Sequence, residues 1–230
     1  MLQYDKVMGT VARMWADNVY SGFMDSLTNM LLYTERNVGP VHYTKASMSW
    51  HELARNQIVE NMLGDWVLML DTDHVFSPDL LERLLHIRAK HNALLVSGIY
   101  CYKFPPHAPV VNMWTGNDEE NLRLTPVLEW DRTAEVIEVG ATGAGCMLID
   151  RKLLKRVQHT FGAPFSIITG LSEDYSFCYR CHKLGVPVTL AAQVECHHVV
   201  NTVLSVRDYA PEKATLTPAH SQDGKILDNG

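Results

Sequence analysis

The chain has 230 residues, of which 47% are hydrophobic and 20% charged, and its net charge is −6. This length predicts one α/β domain rather than two. The negative charge excludes a general attraction to nucleic acid or anionic membranes, although a local basic groove can persist within such an average. No apolar run is long enough to cross a bilayer, and the amino terminus lacks the pattern of a signal peptide. We therefore expect a cytoplasmic protein whose five cysteines are reduced.

Apolar periodicity predicts that strands and helices alternate along the first hundred residues. The strands are expected within residues 7–14, 38–44, 67–70 and 93–99. Three helices are expected. The first contains the apolar stripe that starts at Phe23, and the second begins at a cap near Ser49. The third begins at a cap at Ser77, with Pro78 in the first helical position. This alternation predicts a mainly parallel sheet with helices on both faces.

The second half of the chain is less regular. Residues 100–131 predict irregular backbone or strands at a sheet edge, with the acidic cluster 118–120 in solvent. An apolar strand is expected at 186–194. The polar stretch 208–230 is expected to be a tail or a lid, which leaves 1–207 as a single catalytic domain.

Two aspartates, Asp71 and Asp73, follow directly on the apolar run from Val67 to Leu70. In open α/β sheets, ligands bind beyond the carboxyl ends of the strands. Carboxylates at this point can hold Mg²⁺ or Mn²⁺ while phosphate oxygens take the other coordination positions. The same residues are also typical of a loop that leads into a helix, so the pair alone leaves both interpretations open.

A segment of small residues, 140–145, runs into an apolar strand at 146–149 and then into a basic helix at 151–157. Its glycine spacing matches neither the phosphate-binding loop nor the dinucleotide fingerprint. A close approach of the backbone to a ligand and a plain tight turn are both consistent with it.

Ser172 is expected to cap a helix whose first turn contains Glu173 and Asp174. Glu173 has the pattern of an ordinary exposed acid. Asp174 is aligned with the apolar stripe, so its carboxylate should face the interior and need a partner or a function. Further on, His197 and His198 follow a buried strand, where adjacent side chains point to opposite faces, so one of them is the candidate metal ligand.

The order of these motifs resembles the GT-A glycosyltransferases, particularly the family-2-like enzymes common in bacteria and phages. The matching segments are 54–56, 71–73, 77–81, 143–149, 172–174 with 177–180, and 196–199. The resemblance implies the GT-A fold, a Rossmann-like, mainly parallel sheet with helices on both faces. It also implies an enzyme that transfers a sugar from a nucleotide diphosphate sugar.

In this family the paired aspartates bind a divalent cation on the donor diphosphate. The resemblance therefore implies Mn²⁺ or Mg²⁺ held mainly by Asp73, with Asp71 on ribose or metal. It makes His198 the third ligand and His197 the alternative.

The resemblance assigns the other site residues as well. It makes Asp174 the general base of an inverting reaction and Glu173 a supporting contact to the acceptor. Contacts to the nucleotide are implied for Arg55 and Asn56, and contacts to base and ribose for Thr10 and Arg13. The chain departs from the usual proline-containing start of the family, since residues 9–13 read Gly-Thr-Val-Ala-Arg.

Donor and acceptor follow from the resemblance alone. UDP-sugars are the commonest donors among such enzymes. The small size fits phage glycosyltransferases, whose acceptors include modified DNA bases and virion proteins, besides glycans, and which act in the host cytoplasm. The negative charge disfavours duplex DNA, although Lys152, Lys155 and Arg156 offer a local basic surface.

Other functions are also consistent with parts of the sequence. The segment 178–182 has the Cys-x-x-Cys-His pattern of covalent haem attachment, and Cys178, Cys181, Cys196 and His197 have ligand types of a zinc site. Buried free thiols are the simpler interpretation of these cysteines. A nucleotidyltransferase and a non-catalytic nucleotide or sugar binder remain alternatives on the same scaffold.

Overall fold

The computed structural model describes residues 7–16, 18–47, 50–115, 123–199 and 203–204. Ser49, the acidic cluster 118–120 and the tail 208–230 lie outside these residues.

Seven strands form a central sheet. In spatial order they are β2 (His42–Lys45), β1 (Thr10–Arg13), β3 (Trp66–Leu70), β10 (Cys146–Asp150), β5 (Leu95–Ile99), β11 (Val188–Glu195) and β8 (Val136–Val139). β10 runs antiparallel between β3 and β5, and β8 is an antiparallel edge strand. The other five strands run in one direction, which confirms the predicted, mainly parallel sheet.

Within the described part of the chain, five helices cover the two faces of this sheet. They are α1 (Ser21–Asn37), α2 (His51–Asn61), α3 (Leu80–Lys90), α4 (Arg151–Phe161) and α5 (Glu173–Lys183). One core joins α1 and α3 to the sheet residues Trp66, Leu68 and Leu70, and a second joins α2, α4 and α5 to Val67 and Met69. Because successive side chains of β3 point to opposite faces, its continuous apolar run serves both cores.

Two small sheets lie beside the central one. The first contains β4 (His74–Val75), β12 (His197–Val199) and β13 (Val203–Leu204), and the second contains β6 (Val111–Thr115), β7 (Arg123–Pro126) and β9 (Ala141–Thr142). The segment 100–131, expected to be irregular or at a sheet edge, therefore contains the strands β6 and β7, which form the second small sheet together with β9.

The predicted cap of α3 was wrong, whereas α2 and α5 begin at or next to the expected positions. α3 has Asp79 at its N-cap, so neither Ser77 nor Pro78 begins it. The Ser77 hydroxyl donates to the Asp79 carboxylate instead of accepting from a helix N–H. Ser172 is the N-cap residue of α5, but its hydroxyl donates to the carboxylate of Asp174. α2 begins after Trp50, one residue beyond the expected cap.

Among the described residues, no helix combines the length and the apolar character needed to cross a bilayer.

Candidate active site

Three ligand-type side chains meet where β3 ends. Within the part of the chain that the structure describes, Asp73, His74 and His198 each offer an atom within 4.8 Å of the other two. We call these residues the Asp-His cluster. β4 and β12 assemble it, because their antiparallel register places His198 opposite His74 and the Val199 amide donates to the Asp73 carbonyl over 2.7 Å.

Both histidines have a fixed orientation. Nδ1 of His74 lies 3.1 Å from the carbonyl oxygen of Gly145, and Nδ1 of His198 lies 2.7 Å from that of Cys101. A carbonyl can only accept, so in each neutral ring Nδ1 carries the proton and Nε2 keeps its lone pair. Backbone carbonyls orient metal-binding imidazoles in this way.

Two buried polar atoms of the Asp-His cluster, Oδ1 of Asp73 and Nε2 of His74, lack hydrogen-bond partners among the described residues. Nε2 of His198 lies 3.5 Å from Oδ1 of Asp73. A carboxylate and two imidazoles whose ligand-type atoms lie within 4.8 Å of one another fit a divalent cation.

The charges around Asp73 favour its ionised form. Its other oxygen, Oδ2, accepts from the ammonium group of Lys103. Burial acts to raise the pKa of Asp73, but His198 and Lys103 lower it by more, so the pKa lies well below its usual value. Burial, followed by the neighbouring His198, lowers the pKa of His74 to about 4. Near neutral pH the cluster thus holds one carboxylate and a neutral, buried imidazole.

A buried arginine connects this end of β3 with the start of α5. Nη2 of Arg55 lies 3.1 Å from Oδ1 of Asp71, and its Nε lies 3.0 Å from Oε1 of Glu173. Its Nη1 donates to the carbonyl oxygen of Ala144 over 3.1 Å. Burial acts to lower the pKa of Arg55, but Asp71 and Glu173 together raise it above its usual value. Arg55 is therefore a fixed cation between two carboxylates.

Gly143, Ala144 and Gly145, which we call the glycine turn, separate the Asp-His cluster from Asp174. The Ala144 amide donates to Oδ2 of Asp174 over 3.3 Å, and the Gly145 carbonyl accepts from the Asp71 amide over 3.0 Å. A Cβ at position 145 would lie 2.5 Å from Cε1 of His74, so a larger residue does not fit there. The predicted small-residue segment is thus a turn through which backbone reaches both halves of the site.

Asp174 lies in the first turn of α5 and is half-buried. Its Oδ1 accepts from the Tyr175 amide over 2.8 Å and from the Ser172 hydroxyl. Burial, followed by repulsion from Glu173, raises its pKa. A carboxylate with a raised pKa at the rim of a site is a candidate general base.

A sequence-family model described as glycosyltransferase-like family 2 matches residues 37–217, which is more than half of the chain. The chain belongs to this family. The matched span contains the Asp-His cluster, Arg55, the glycine turn and Asp174.

Two solved structures have a similar fold although their sequences share little identity with this chain. The protein titled "Crystal Structure of A197 from STIV" shares 17% identity at a TM-score of 0.58, covering 92% of this chain and 98% of that one. GalNAc-T7, solved with UDP, GalNAc and Mn²⁺, shares 11% identity at a TM-score of 0.57 over 89% of this chain. The chain spans 47% of the GalNAc-T7 chain. No curated protein sequence matches significantly. These neighbours confirm the predicted GT-A fold.

The remaining predicted nucleotide contacts of this family-2 chain lie in different places. Arg13 is at the carboxyl end of β1, beside Leu70, and its Nε donates to the Tyr43 hydroxyl over 2.9 Å. Thr10 is at the opposite end of β1, where its hydroxyl bonds to the backbone of Leu63, so the structure does not bring it to the site. Asn56 accepts from the Phe165 amide over 3.0 Å and holds the segment before α5.

Other predicted residues also differ from their expected surroundings. Glu173 is buried against Arg55 rather than exposed, because α5 turns this residue toward α2. Asp71 is outside the Asp-His cluster and pairs with Arg55. His197 points away from the cluster, with Nε2 3.5 Å from Oε2 of Glu195.

Sequence reasoning missed His74 and Lys103. His74 directly follows the second aspartate, but its role depends on strand pairing with residues more than 120 positions away. Lys103 lies in the segment expected to be irregular, and no spacing rule connects it to Asp73. A histidine next to paired aspartates was a usable signal.

The cysteines have no part in this site. All five are free and buried. Cys178 and Cys181 are fully buried on the core side of α5, and burial raises the pKa of Cys178 to about 12. Thiols packed in the core cannot attach a haem, and within the described residues no cysteine joins a metal-type group. The interpretation as buried free thiols is confirmed.

Proposed function

We propose that the chain is a metal-dependent glycosyltransferase of the hexosyltransferase type. It would transfer a sugar from a nucleotide diphosphate sugar, with a UDP-sugar preferred, to an acceptor hydroxyl. The observation that carries this proposal is the glycine turn, whose Gly145 carbonyl orients His74 next to Asp73 while its Ala144 amide binds Asp174. A cation-binding group and a candidate base on either side of one short turn are what sugar transfer needs.

In this proposal the nucleotide sugar binds at the carboxyl end of β3. Asp73 and His198 hold the cation in this proposal, with Asp71 toward the ribose and Arg13 near the nucleotide, since both follow the carboxyl ends of adjacent strands. When bound, Mn²⁺ or Mg²⁺ supplies positive charge that stabilises the diphosphate as a leaving group. Arg55 holds the Asp71 carboxylate in place beside the proposed nucleotide site.

In this proposal Asp174 activates the acceptor. Its carboxylate takes the proton of the acceptor hydroxyl as that hydroxyl attacks the anomeric carbon, a contribution of typically about 10²–10⁴-fold. A pKa raised by burial and by Glu173 makes this carboxylate a stronger base than an exposed one. Attack from the face opposite the diphosphate inverts the anomeric configuration.

The partly buried Tyr175, next to the candidate base in sequence, contacts a loop that carries exposed aromatic side chains. The hydroxyl groups of Tyr102 and Tyr175 are 2.9 Å apart, and Phe104, on the same loop as Tyr102, is 73% exposed. Tyr175 directly follows Asp174 in α5. Aromatic rings stack well on flat or weakly polar ligand faces, which favours a sugar or a nucleobase as the acceptor group.

A hydrolysis screen of nucleotide sugars in Mn²⁺ tests this proposal, with binding of the free nucleotide measured in parallel by calorimetry. Asp73→Ala is expected to abolish metal-dependent binding and hydrolysis, because it removes a charged ligand. Asp174→Ala is expected to keep donor binding and to lose transfer. Asp25→Ala, on the exposed side of α1, is the matched control and should retain both.

Metal-independent nucleotide binding in wild type, or full transfer by Asp174→Ala, would contradict the proposal. Binding without any turnover of any donor would identify a non-catalytic binder. The anomeric configuration of the product, read by NMR, reports inversion or retention.

A further inference from the structure

The proposed function names Asp73 and His198 as ligands of the cation and does not say whether His74 binds it, although the His74 side chain is completely buried within the Asp-His cluster. Its ring packs against two neighbours, with centroids 4.6 Å from Tyr100 and 4.4 Å from His198. Nδ1 is bound to the Gly145 carbonyl, so the ring cannot turn without losing that hydrogen bond. The other ring nitrogen, Nε2, is therefore held in a fixed direction inside the buried cluster.

A buried nitrogen without a partner is costly. Native proteins therefore usually supply such a buried acceptor with a partner. Among the described residues Nε2 of His74 has none, and the same holds for the nearby Oδ1 of Asp73. A cation between these two atoms and Nε2 of His198 would satisfy all three.

We propose that His74 is the third protein ligand of this cation and that the cluster selects a transition-metal ion such as Mn²⁺ or Co²⁺ over Mg²⁺. This inference rests on the proposed function in that it concerns the same ion. Imidazole nitrogen suits transition metals, whereas Mg²⁺ prefers oxygen ligands throughout. Two imidazoles with one carboxylate oxygen therefore disfavour Mg²⁺.

The neighbouring carboxylates, whose oxygens would favour Mg²⁺, are already engaged by cationic side chains. Oδ2 of Asp73 is held by Lys103, and the Asp71 carboxylate is held by Arg55 and lies outside the cluster. Glu173 is also engaged with Arg55. The protein thus offers one carboxylate oxygen against two nitrogens.

The strand register supplies a matched control. Residues directly opposite each other in an antiparallel pair share a face, so His74 and His198 point to one side of the β4–β12 pair, and Val75 and His197 to the other. His197 is the same residue type on the same strand, near Glu195 and outside the cluster. Replacing it removes an imidazole without touching the proposed ligands.

Calorimetric titration of the nucleotide-free full chain with Mn²⁺ and with Mg²⁺ tests the inference. Wild type is expected to bind Mn²⁺ at least about tenfold more tightly than Mg²⁺. Loss of an outer partner of a metal site typically weakens binding by about 10–100-fold, and His74→Gln, which removes a proposed ligand, should weaken Mn²⁺ binding by at least this much. The same variant should change Mg²⁺ binding little. His197→Gln should match wild type.

X-ray absorption at the manganese edge of the wild-type protein gives a readout that does not depend on a variant folding. Two imidazoles per Mn²⁺ are expected. One imidazole, equal affinity for Mg²⁺ and Mn²⁺, or unchanged Mn²⁺ affinity in folded His74→Gln would overturn the inference. A two-imidazole site in a protein that turns over no nucleotide sugar would support this inference and contradict the proposed function instead.

Discussion

Arg55 and Glu173 form a buried ion pair, with Nε and Oε1 3.0 Å apart, although 118 positions separate them in the sequence. The same guanidinium binds Asp71, so it ties the end of β3 to the helix that carries Asp174. Its three hydrogen-bonded contacts point in different directions, which suits the planar fork of arginine and not the single point charge of lysine. The relative position of donor site and base thus depends on this residue.

Arg55→Met is expected to lower the free energy of unfolding by about 3–5 kcal/mol, because it leaves buried carboxylates without their cation. Arg55→Lys should fold, keep Mn²⁺ binding and lose turnover, with the loss in kcat rather than in KM. Urea unfolding measures the loss of stability, and steady-state kinetics measure kcat and KM. Arg156→Met is the control, since Arg156 is exposed and makes one contact to the Leu184 carbonyl. A stable, fully active Arg55→Met variant would show that the bridge has no such role.

Replacing Asp174 should change how stability depends on pH. Burial and then Glu173 raise the pKa of Asp174 above its ordinary 3.8, so the folded chain binds this proton more readily than the unfolded chain. Between 3.8 and the raised value, the wild type therefore loses stability as the pH rises. Asp174→Asn does not titrate, so its free energy of unfolding should rise relative to that of the wild type as the pH increases from 3.8 to the raised pKa.

Urea unfolding at a series of pH values measures this difference. Asp25→Asn, at an exposed position of α1, should stay within about 0.5 kcal/mol of wild type. A difference for Asp174→Asn that is constant with pH, or that falls as pH rises, would contradict the prediction.

Lys103 competes with a cation for the charge of Asp73, because its ammonium group already contacts Oδ2. Lys103→Met is expected to tighten Mn²⁺ binding to the nucleotide-free protein by about two- to fivefold, the range of a partly exposed ion pair. The gain should shrink in high salt, since ions screen the charge. Lys90→Met removes a lysine from the exposed pair with Glu135 and should leave Mn²⁺ affinity unchanged. Weaker binding in Lys103→Met would mean that the lysine chiefly positions Asp73.

Gly145 leaves no room for a side chain. A Cβ there would lie 2.5 Å from Cε1 of His74 and 3.0 Å from Oδ2 of Asp71, so Gly145→Ala should displace one of them. We expect Mn²⁺ affinity to fall by at least about tenfold, as for other losses of ligand orientation. Gly185→Ala separates this effect from general instability: φ is +69° with open space around it, so it should cost about 1 kcal/mol and keep the metal site. Equal Mn²⁺ affinity in both variants would refute the steric argument.

The sequence predicted the central sheet because β3 and β11 are long apolar runs, and the aspartate pair and the histidine pair both follow such runs. The choice of Asp73 and His198 within those pairs came from the family resemblance. It misplaced Thr10, since the expected first strand began three residues early and the residue that seemed near its end is its first. Lys103 and the burial of Glu173 depend on contacts between distant segments, for which neither periodicity nor spacing carries a signal. For His74 the sequence carried one signal, its position directly after the paired aspartates, although its place in the cluster depends on distant strand pairing. The antiparallel insertion of β10 was unpredictable for the same reason, because an apolar strand does not specify its direction.

The central claim is that Asp73 and His198 hold a divalent ion on the diphosphate of a nucleotide sugar. Crystals grown with UDP and Mn²⁺ test it most directly, through anomalous scattering collected on both sides of the manganese edge. We predict one strong anomalous peak at coordinating distance from Oδ1 of Asp73 and Nε2 of His198, shared with the UDP phosphates. Bound UDP without manganese, or manganese at another position, would contradict the account.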